Sequence, residues 1–254
     1  LYPELKGKTA LVTGASRGIG AATALTLARH GVSRFLIHYN SYTEGARQTL
    51  ASIRGAGAEG EIIQADLGKS AGIQSFLSEL RRRGPELDIL INNAGSLVKR
   101  AGLLEYTEDL FDTVMNLNVK SAYLIAQVVV PYMLRQKSGV IVNLSSIAGR
   151  NGGGPGATIY AAAKAAVTCM TKGMAKELAP LGIRVNAVSP GTVDNYFHQQ
   201  FSTRELLDSI VKMTPAGRLS TNEDVADVIL FLCTNGSRYI HGQTIEVNGG
   251  MLAP

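Results

Sequence analysis

The chain has 254 residues, 45% hydrophobic and 18% charged, with two cysteines, no tryptophan and a formal net charge of +5. That length buries a sizeable core and suits one α/β domain, while the composition excludes a disordered chain and a disulfide-stapled scaffold. Acids and bases are interspersed and the densest basic run is only Arg81 to Arg83, so the charge implies no nucleic-acid partner and only a mild preference for anionic ligands.

The opening stretch, "LYPELKGKTALVTG", lacks the basic, apolar and small-residue order of a secretory signal. No apolar run approaches the ~20 residues of a membrane span. The expectation is a soluble, cytoplasmic protein with no membrane partner. Seven short apolar runs read as strands: "TALVTG", "RFLIHY", "EIIQAD", "DILINN", "GVIVNLSS", "IRVNAVSPG" and "QTIEVNGG". Amphipathic segments long enough for crossover helices separate most of them. Nearly continuous hydrophobic strands in β-α alternation predict a doubly wound, parallel, seven-stranded sheet with helices on both faces. No repeat, low-complexity tract or linker divides residues 1–254, which read as a single domain.

The first strand runs into "TGASRGIG", which opens a helix. There Gly14, Gly18 and Gly20 provide a tight turn, close backbone approach and close helix packing, and the free N–H groups suit a pyrophosphate. The spacing differs by one position from the usual dinucleotide fingerprint, and a glycine-rich turn without a ligand has the same composition. The second strand ends in "HYNS", without the acid that usually binds the ribose 2′-hydroxyl of NAD. Arg17 sits where the helix dipole disfavours a cation unless an anion pairs with it, and Asn40 and Ser41 can donate to the same anion. A 2′-phosphate fits, so NADP(H) is favoured and NAD(H) remains possible; the alternative for Arg17 is a solvated side chain bent away.

Further along, Asp66 either accepts from an adenine amino group or caps the helix that "DLGKSAG" begins. Arg81 to Arg83 suit a helix end. In "NNAG", Asn92 and Asn93 tie strand ends together while Ala94 and Gly95 leave space for a cofactor, although the motif also serves as plain turn chemistry. A long helix is expected over about 109 to 136, carrying Asn118, and another over about 159 to 179. Within the second, Tyr160 and Lys164 of "YAAAK" lie four residues apart in a run of alanines and share a helix face. An exposed tyrosine with a snorkelling lysine is the alternative.

Pro190 and Gly191 end the sixth strand, followed by an irregular insertion and a final helix from near Asn222. Most of these residues follow the carboxyl ends of strands, where an open α/β sheet binds ligands. Cys169 and Cys233 read as buried free thiols. His30, His38, His198 and His241 show no metal-ligand spacing and read as surface or packing residues. No metal is assigned. Lys99, Arg100 and Lys137 read as solvated surface charges.

"TGASRGIG", "NNAG", a serine ahead of "YAAAK", and "SPGT" occur in the order found in the short-chain dehydrogenase/reductase family, which the whole chain resembles. The pattern looks most like the 3-oxoacyl-[acyl-carrier-protein] reductase branch. The resemblance implies a Rossmann-type fold and a catalytic set of Asn118, Ser146, Tyr160 and Lys164, with Ser145 as the alternative serine. It also implies cofactor contacts from Ser16, Ile19, Leu67 and Asn93, a nicotinamide turn at Pro190 and Gly191, and Thr192 near the carboxamide. Hydride transfer to a carbonyl builds charge on oxygen, which needs a proton donor and a fixed hydrogen-bond donor; Tyr160 and Ser146 fit those roles. Lys164 would lower the pKa of Tyr160, donate to the nicotinamide ribose and receive protons through water held by Asn118.

These features together imply an NAD(P)-dependent oxidoreductase acting on a ketone or secondary alcohol. A sugar or polyol dehydrogenase of the same family is the near alternative, and a non-catalytic dinucleotide-sensing protein the distant one. A substrate lid is expected over about 192 to 217, with Tyr196, Phe197 and Phe201 as candidate lining residues. The resemblance also implies a homotetramer joined through its long helices.

Overall fold

Period-two alternation within each apolar run decides which layer of helices a residue meets. Leu11, Leu36, Leu90, Ile141 and Val185 point into one buried core, while Ala10, Val12, Phe35, Ile37, Ile91, Val142 and Val188 point into a second. A sheet buried on both sides results, as the nearly continuous strands require. The computed structural model describes residues 2–84 and 86–253.

The strands are β1 (Thr9–Val12), β2 (Arg34–Tyr39), β3 (Glu59–Gln64), β4 (Ile89–Asn92), β5 (Gly139–Leu144), β6 (Ile183–Pro190) and β7 (Thr244–Val247). They form one parallel sheet in the order β3-β2-β1-β4-β5-β6-β7. Each of the seven predicted runs contains or overlaps one of them. Winding changes direction between β1 and β4, which opens a crevice at their carboxyl ends.

The helices are α1 (Gly18–Arg29), α2 (Thr43–Gly55), α3 (Ser70–Arg83), α4 (Glu108–Met115), α5 (Ser121–Gln136), α6 (Ala148–Asn151), α7 (Thr158–Leu178), α8 (Tyr196–Phe201), α9 (Arg204–Met213) and α10 (Asn222–Cys233). Residues of α1, α2 and α10 fill one core and residues of α3, α5 and α7 the other. Arg81 to Arg83 do end α3, where Glu79 pairs with Arg82 and Arg83, and Gly84 stops the helix in the left-handed conformation at φ 53°.

Two expectations need correction. The long helix is interrupted: Asn116–Lys120 is a π-helical turn between α4 and α5. It inserts an extra residue per turn at Asn118, a distortion common at functional sites. Counted as one run, Glu108–Gln136 is long and apolar enough to cross a membrane by length and composition, although no unbroken apolar run showed it. Its buried residues, Ile125, Val129 and Met133 among them, pack against α3 and the sheet, as a core helix does. Finally, Cys233 is buried but Cys169 is exposed, because it lies opposite the stripe of α7 that buries Val167 and Thr171.

Glycine is required in the first turn of both α2 and α3, at Gly45 and Gly72. A Cβ on Gly72 would overlap the carbonyl oxygen of Asp66, whereas one on Gly55 meets open space. Gly72→Ala is expected to destabilise the fold by about 1–3 kcal/mol. Gly55→Ala should be neutral or stabilising by up to about 1 kcal/mol. Urea unfolding midpoints of the two variants check this contrast.

Candidate active site

β1 and β4 are tied together where the crevice opens. Thr13 Oγ1 accepts from the backbone N–H groups of Asn93 and Ala94, both at 3.0 Å. Asn93 Nδ2 returns the tie by donating to the carbonyls of Thr13 and Gly14 at 2.8 and 3.1 Å. Asn92 reaches the next strand, donating to Asn143 Oδ1 at 2.9 Å, and Asn143 donates to Thr171 of α7 at 2.9 Å. Four polar side chains thus fix the sheet edge on which the site is built.

The glycine turn follows from this frame. Gly14 has φ +65°, and a Cβ there would lie 2.9 Å from Ala94 Cα; one on Gly20 would lie 2.6 Å from the carbonyl oxygen of Gly14. Gly14 N–H donates to His38 Nδ1 at 3.0 Å, and the His38 Nε2 side bonds the Ala65 carbonyl at 3.1 Å. Burial pulls the His38 pKa down to about 4, so the ring is a neutral brace. Arg17 occupies the N-cap of α1 without a side-chain cap, which leaves the helix start open to an anion.

Among the described residues Arg17 pairs with no acid, and it is not bent away into solvent. Its guanidinium carbon lies 4.1 Å from the ring centroid of Tyr42 and 4.0 Å from that of Tyr196. Asn40 and Ser41, beside Tyr42, are exposed. Ser16 lies in the same turn, with its carbonyl against Gly45. Ile19 packs partly on the core, and Leu67 is 1% exposed, so the Leu67 side chain faces the core and only its backbone remains for a ligand. Asp66 accepts from Gly68 N–H at 3.0 Å in a turn ahead of α3, whose N-cap is Lys69; it is therefore not the cap itself.

The reacting end lies at the carboxyl ends of β4 and β5. Lys164, 3% exposed, donates through Nζ to the Leu144 carbonyl at 2.7 Å. A Cβ on Gly95 would lie 2.9 Å from that Nζ and 2.7 Å from Asn118 Oδ1. Asn118 Nδ2 donates to the carbonyls of Ser96 and Val114, both at 2.9 Å, while its Oδ1 is buried without a partner among the described residues. Ser145 is consumed by the scaffold: its hydroxyl donates to the Lys164 carbonyl at 3.0 Å and meets Thr168 Oγ1 at 2.7 Å. Ser146 is the serine left facing Tyr160, where it lowers the phenol's pKa, and its Oγ accepts from Ala148 N–H at 3.1 Å.

The electrostatics differ from the expectation of an acidic phenol. Burial pushes the Tyr160 phenol up to about 12, against the lowering effect of Ser146. Burial also pulls the Lys164 ammonium down to about 8. Its Nζ lies 5.7 Å from the centroid of the Tyr160 ring. Desolvation is the larger cause at both groups in the protein alone.

Above Tyr160 lies α8, with Phe197 at 5.8 Å between ring centroids and Phe201 a further 5.0 Å from Phe197. Arg100 is not a solvated charge. It donates to the carbonyls of Phe201 at 2.8 Å and Pro155 at 2.7 Å, joining α8 to the loop before α7. Burial and Arg100 hold the His198 pKa down to about 4. Pro190 is buried, and a Cβ on Gly191 would lie 2.9 Å from Asn248, so this turn lies against the end of β7. The Thr192 carbonyl accepts from Ser220 N–H at 3.1 Å, which joins the chain ahead of α8 to the chain ahead of α10. Among the described residues, no cluster of three His, Cys, Asp or Glu side chains could hold a metal.

These residues fit a nicotinamide dinucleotide: an uncapped helix start and a buried amide oxygen without a partner among the described residues lie along one crevice. Residues 14–252 match the family described as enoyl-(acyl carrier protein) reductase. The 3-oxoacyl-[acyl-carrier-protein] reductase FabG of Staphylococcus epidermidis is 40% identical over 244 residues, covering 96% of this chain and 98% of that protein. A structure described as a putative NAD(P)-dependent gluconate 5-dehydrogenase from Beutenbergia cavernae with bound NADP is 34% identical, with a TM-score of 0.90 and 98% of both chains covered. A DEH reductase A1-R' mutant is 34% identical, with a TM-score of 0.89 and 100% of both chains covered.

The chain belongs to the short-chain dehydrogenase/reductase family, in its 3-oxoacyl-[acyl-carrier-protein] reductase-like branch. It is an NAD(P)-dependent oxidoreductase acting on C=O and CH–OH groups.

Sequence reasoning missed Thr13, Tyr42 and the structural part played by Arg100. Their partners lie far along the chain, and only the glycine at position 45, whose Cβ would overlap the Tyr42 ring and the Ser16 carbonyl, signals the packing of Tyr42.

Lys164 gives a stability test independent of turnover. Its folded pKa lies below the ordinary 10.5, so the unfolded chain binds more protons between about 8 and 10.5, and wild-type stability rises with pH across that window. Below about 8 the burial penalty is complete. Lys164→Met is expected to stabilise the fold by on the order of 2 kcal/mol at pH 7. Denaturant unfolding should show that gain vanishing by pH 10.5; a variant less stable at pH 7 would contradict the assigned burial cost.

Proposed function

We propose that the protein reduces a 3-oxoacyl thioester or similarly apolar ketone with NADPH, using Tyr160 as proton donor. The observation that carries this reading is the convergence of Ser146, Tyr160, Lys164 and Asn118 on one strand edge, with Lys164 Nζ and Asn118 Oδ1 meeting at Gly95.

Bound nicotinamide would supply the hydride. Ser146 would hold the carbonyl oxygen, and Tyr160, protonated up to about pH 12 in the protein alone, would give its proton to the oxygen as charge develops. Lys164 stands behind the phenol with a proton that is lost only near pH 8, and Asn118 Oδ1 offers an acceptor for a water that resupplies it. Gly14, Arg17, Gly18, Gly20, Asn40, Ser41, Asp66 and Asn93 to Gly95 would hold the nucleotide, with Pro190, Gly191 and Thr192 beside the nicotinamide. The absence of an acid after β2 and an Arg17 with no ion pair among the described residues support NADPH.

An apolar lid favours an acyl chain over a sugar acid. Phe197 covers Tyr160, His198 is held neutral, and the Arg100 guanidinium is engaged by backbone carbonyls rather than presented to a carboxylate. The segment over 192–217 acts in this reading as a lid built from α8 and α9.

Assembly follows the same reading: a homotetramer, supported by the exposure of Phe111, Tyr123 and Leu134 along α4 and α5, and of Leu103 and Leu104 ahead of them. Light scattering is expected to return the mass of four chains, and Tyr123→Asp a smaller particle; a wild-type monomer would overturn this arrangement.

The reaction is tested by NADPH oxidation with an acetoacetyl thioester, acetoin and a keto-sugar acid side by side. The thioester is expected to have the highest kcat/KM, and Tyr160→Phe to lower kcat by about 10²–10⁴. Turnover confined to the sugar acid would favour the sugar dehydrogenase reading. Tight nucleotide binding without turnover on any substrate would favour a sensor.

A further inference from the structure

We propose that Tyr196 is a cofactor-specificity and positioning residue, which with Tyr42 holds Arg17 for a ribose 2′-phosphate and couples that contact to the lid over Tyr160. This rests on the reading that NADP(H) is the cofactor.

The two rings come from different parts of the fold. Tyr42 is the residue before α2, and Gly45 makes room for its ring. Tyr196 is the first residue of α8. Both stay partly open to solvent, at 37% and 49%, so the guanidinium between them remains reachable. An acid beside Arg17 would neutralise it and repel a phosphate. Aromatic faces attract the cation while leaving its charge and its N–H edge for a ligand.

α8 is anchored over the glycine turn. Asn195 caps it by accepting from Phe197 N–H at 3.1 Å, and Asn195 Nδ2 donates to Asn222 Oδ1 at 2.9 Å. Both amides lie 3.7 Å from where a Gly18 Cβ would stand. The next residue, Phe197, covers Tyr160 at 5.8 Å, and Arg100 grips the far end of the helix through the Phe201 carbonyl. One turn of helix therefore touches both the nucleotide end and the reacting end of the crevice. Any ligand that favours the Arg17 position seen here favours the lowered lid, and by reciprocity the lowered lid strengthens that ligand.

The test uses nucleotide fragments, so that binding is read apart from turnover. Calorimetry with adenosine 2′,5′-bisphosphate and adenosine 5′-phosphate is run on the wild type, Tyr196→Leu and Tyr196→Phe, with hydrogen exchange followed over residues 196–201. The wild type is expected to prefer the bisphosphate by about tenfold or more. Tyr196→Leu should weaken the bisphosphate by about fivefold, leave the monophosphate unchanged, and abolish the slowing of lid exchange that the bisphosphate causes; Tyr196→Phe should restore both. A wild type that binds the two fragments equally overturns the NADP reading and the coupling together. Wild-type preference for the bisphosphate that survives Tyr196→Leu, or equal loss of both fragments in that variant, overturns the coupling alone.

Discussion

A lysine ammonium carried into a nearly dry pocket sets the conditions for everything around it. Lys164 sits 3% exposed with the Leu144 carbonyl at 2.7 Å, and such a charge is tolerated only where acceptors are fixed nearby. The carboxyl end of β5 provides that acceptor. The end of β4 must then carry a glycine, because any Cβ at Gly95 would crowd the ammonium, and the π-helical turn brings Asn118 Oδ1 to the same place. Polar ties at Thr13, Asn92, Asn93 and Asn143 hold those strand ends still, so the ammonium does not gain solvent by local opening.

Phenol and ammonium are both moved toward their neutral forms, since one low-dielectric pocket desolvates both. The phenol is therefore held protonated, as a weaker acid than free tyrosine, while the ammonium releases its proton more readily than that of free lysine. Making the phenol a base for alcohol oxidation requires added positive charge beside it, and an oxidised nicotinamide is the group that carries one.

Much of the fold was legible because it rests on local patterns: alternation gives the seven strands, "TGASRGIG" needs Gly14 and Gly18 at positive φ, and "NNAG" ends in a glycine where a Cβ would crowd Lys164 and Asn118. Tyr160 and Lys164 were legible for the same reason, as an i, i+4 pair in a strong helix former. The interrupted helix was not, because a single π-helical turn leaves the apolar periodicity on either side intact. The phenol's high pKa was hidden as well: spacing reveals a neighbouring charge but not the depth of burial. Arg100 looked like a surface charge since its acceptors, Pro155 and Phe201, lie 55 and 101 residues away. Arg17 fitted neither expected state in full, because its two aromatic neighbours come from a loop and a lid that sequence order does not connect.

The most direct measurement is an ultraviolet pH titration of Tyr160, isolated as the difference between the wild type and Tyr160→Phe, with and without NADP⁺. The account requires the phenol of the free protein to ionise well above the ordinary value of 10, toward about 12, and to fall by more than one pH unit once the oxidised cofactor is bound. A phenol already ionising below 10 in the free protein, or one indifferent to NADP⁺, would contradict it.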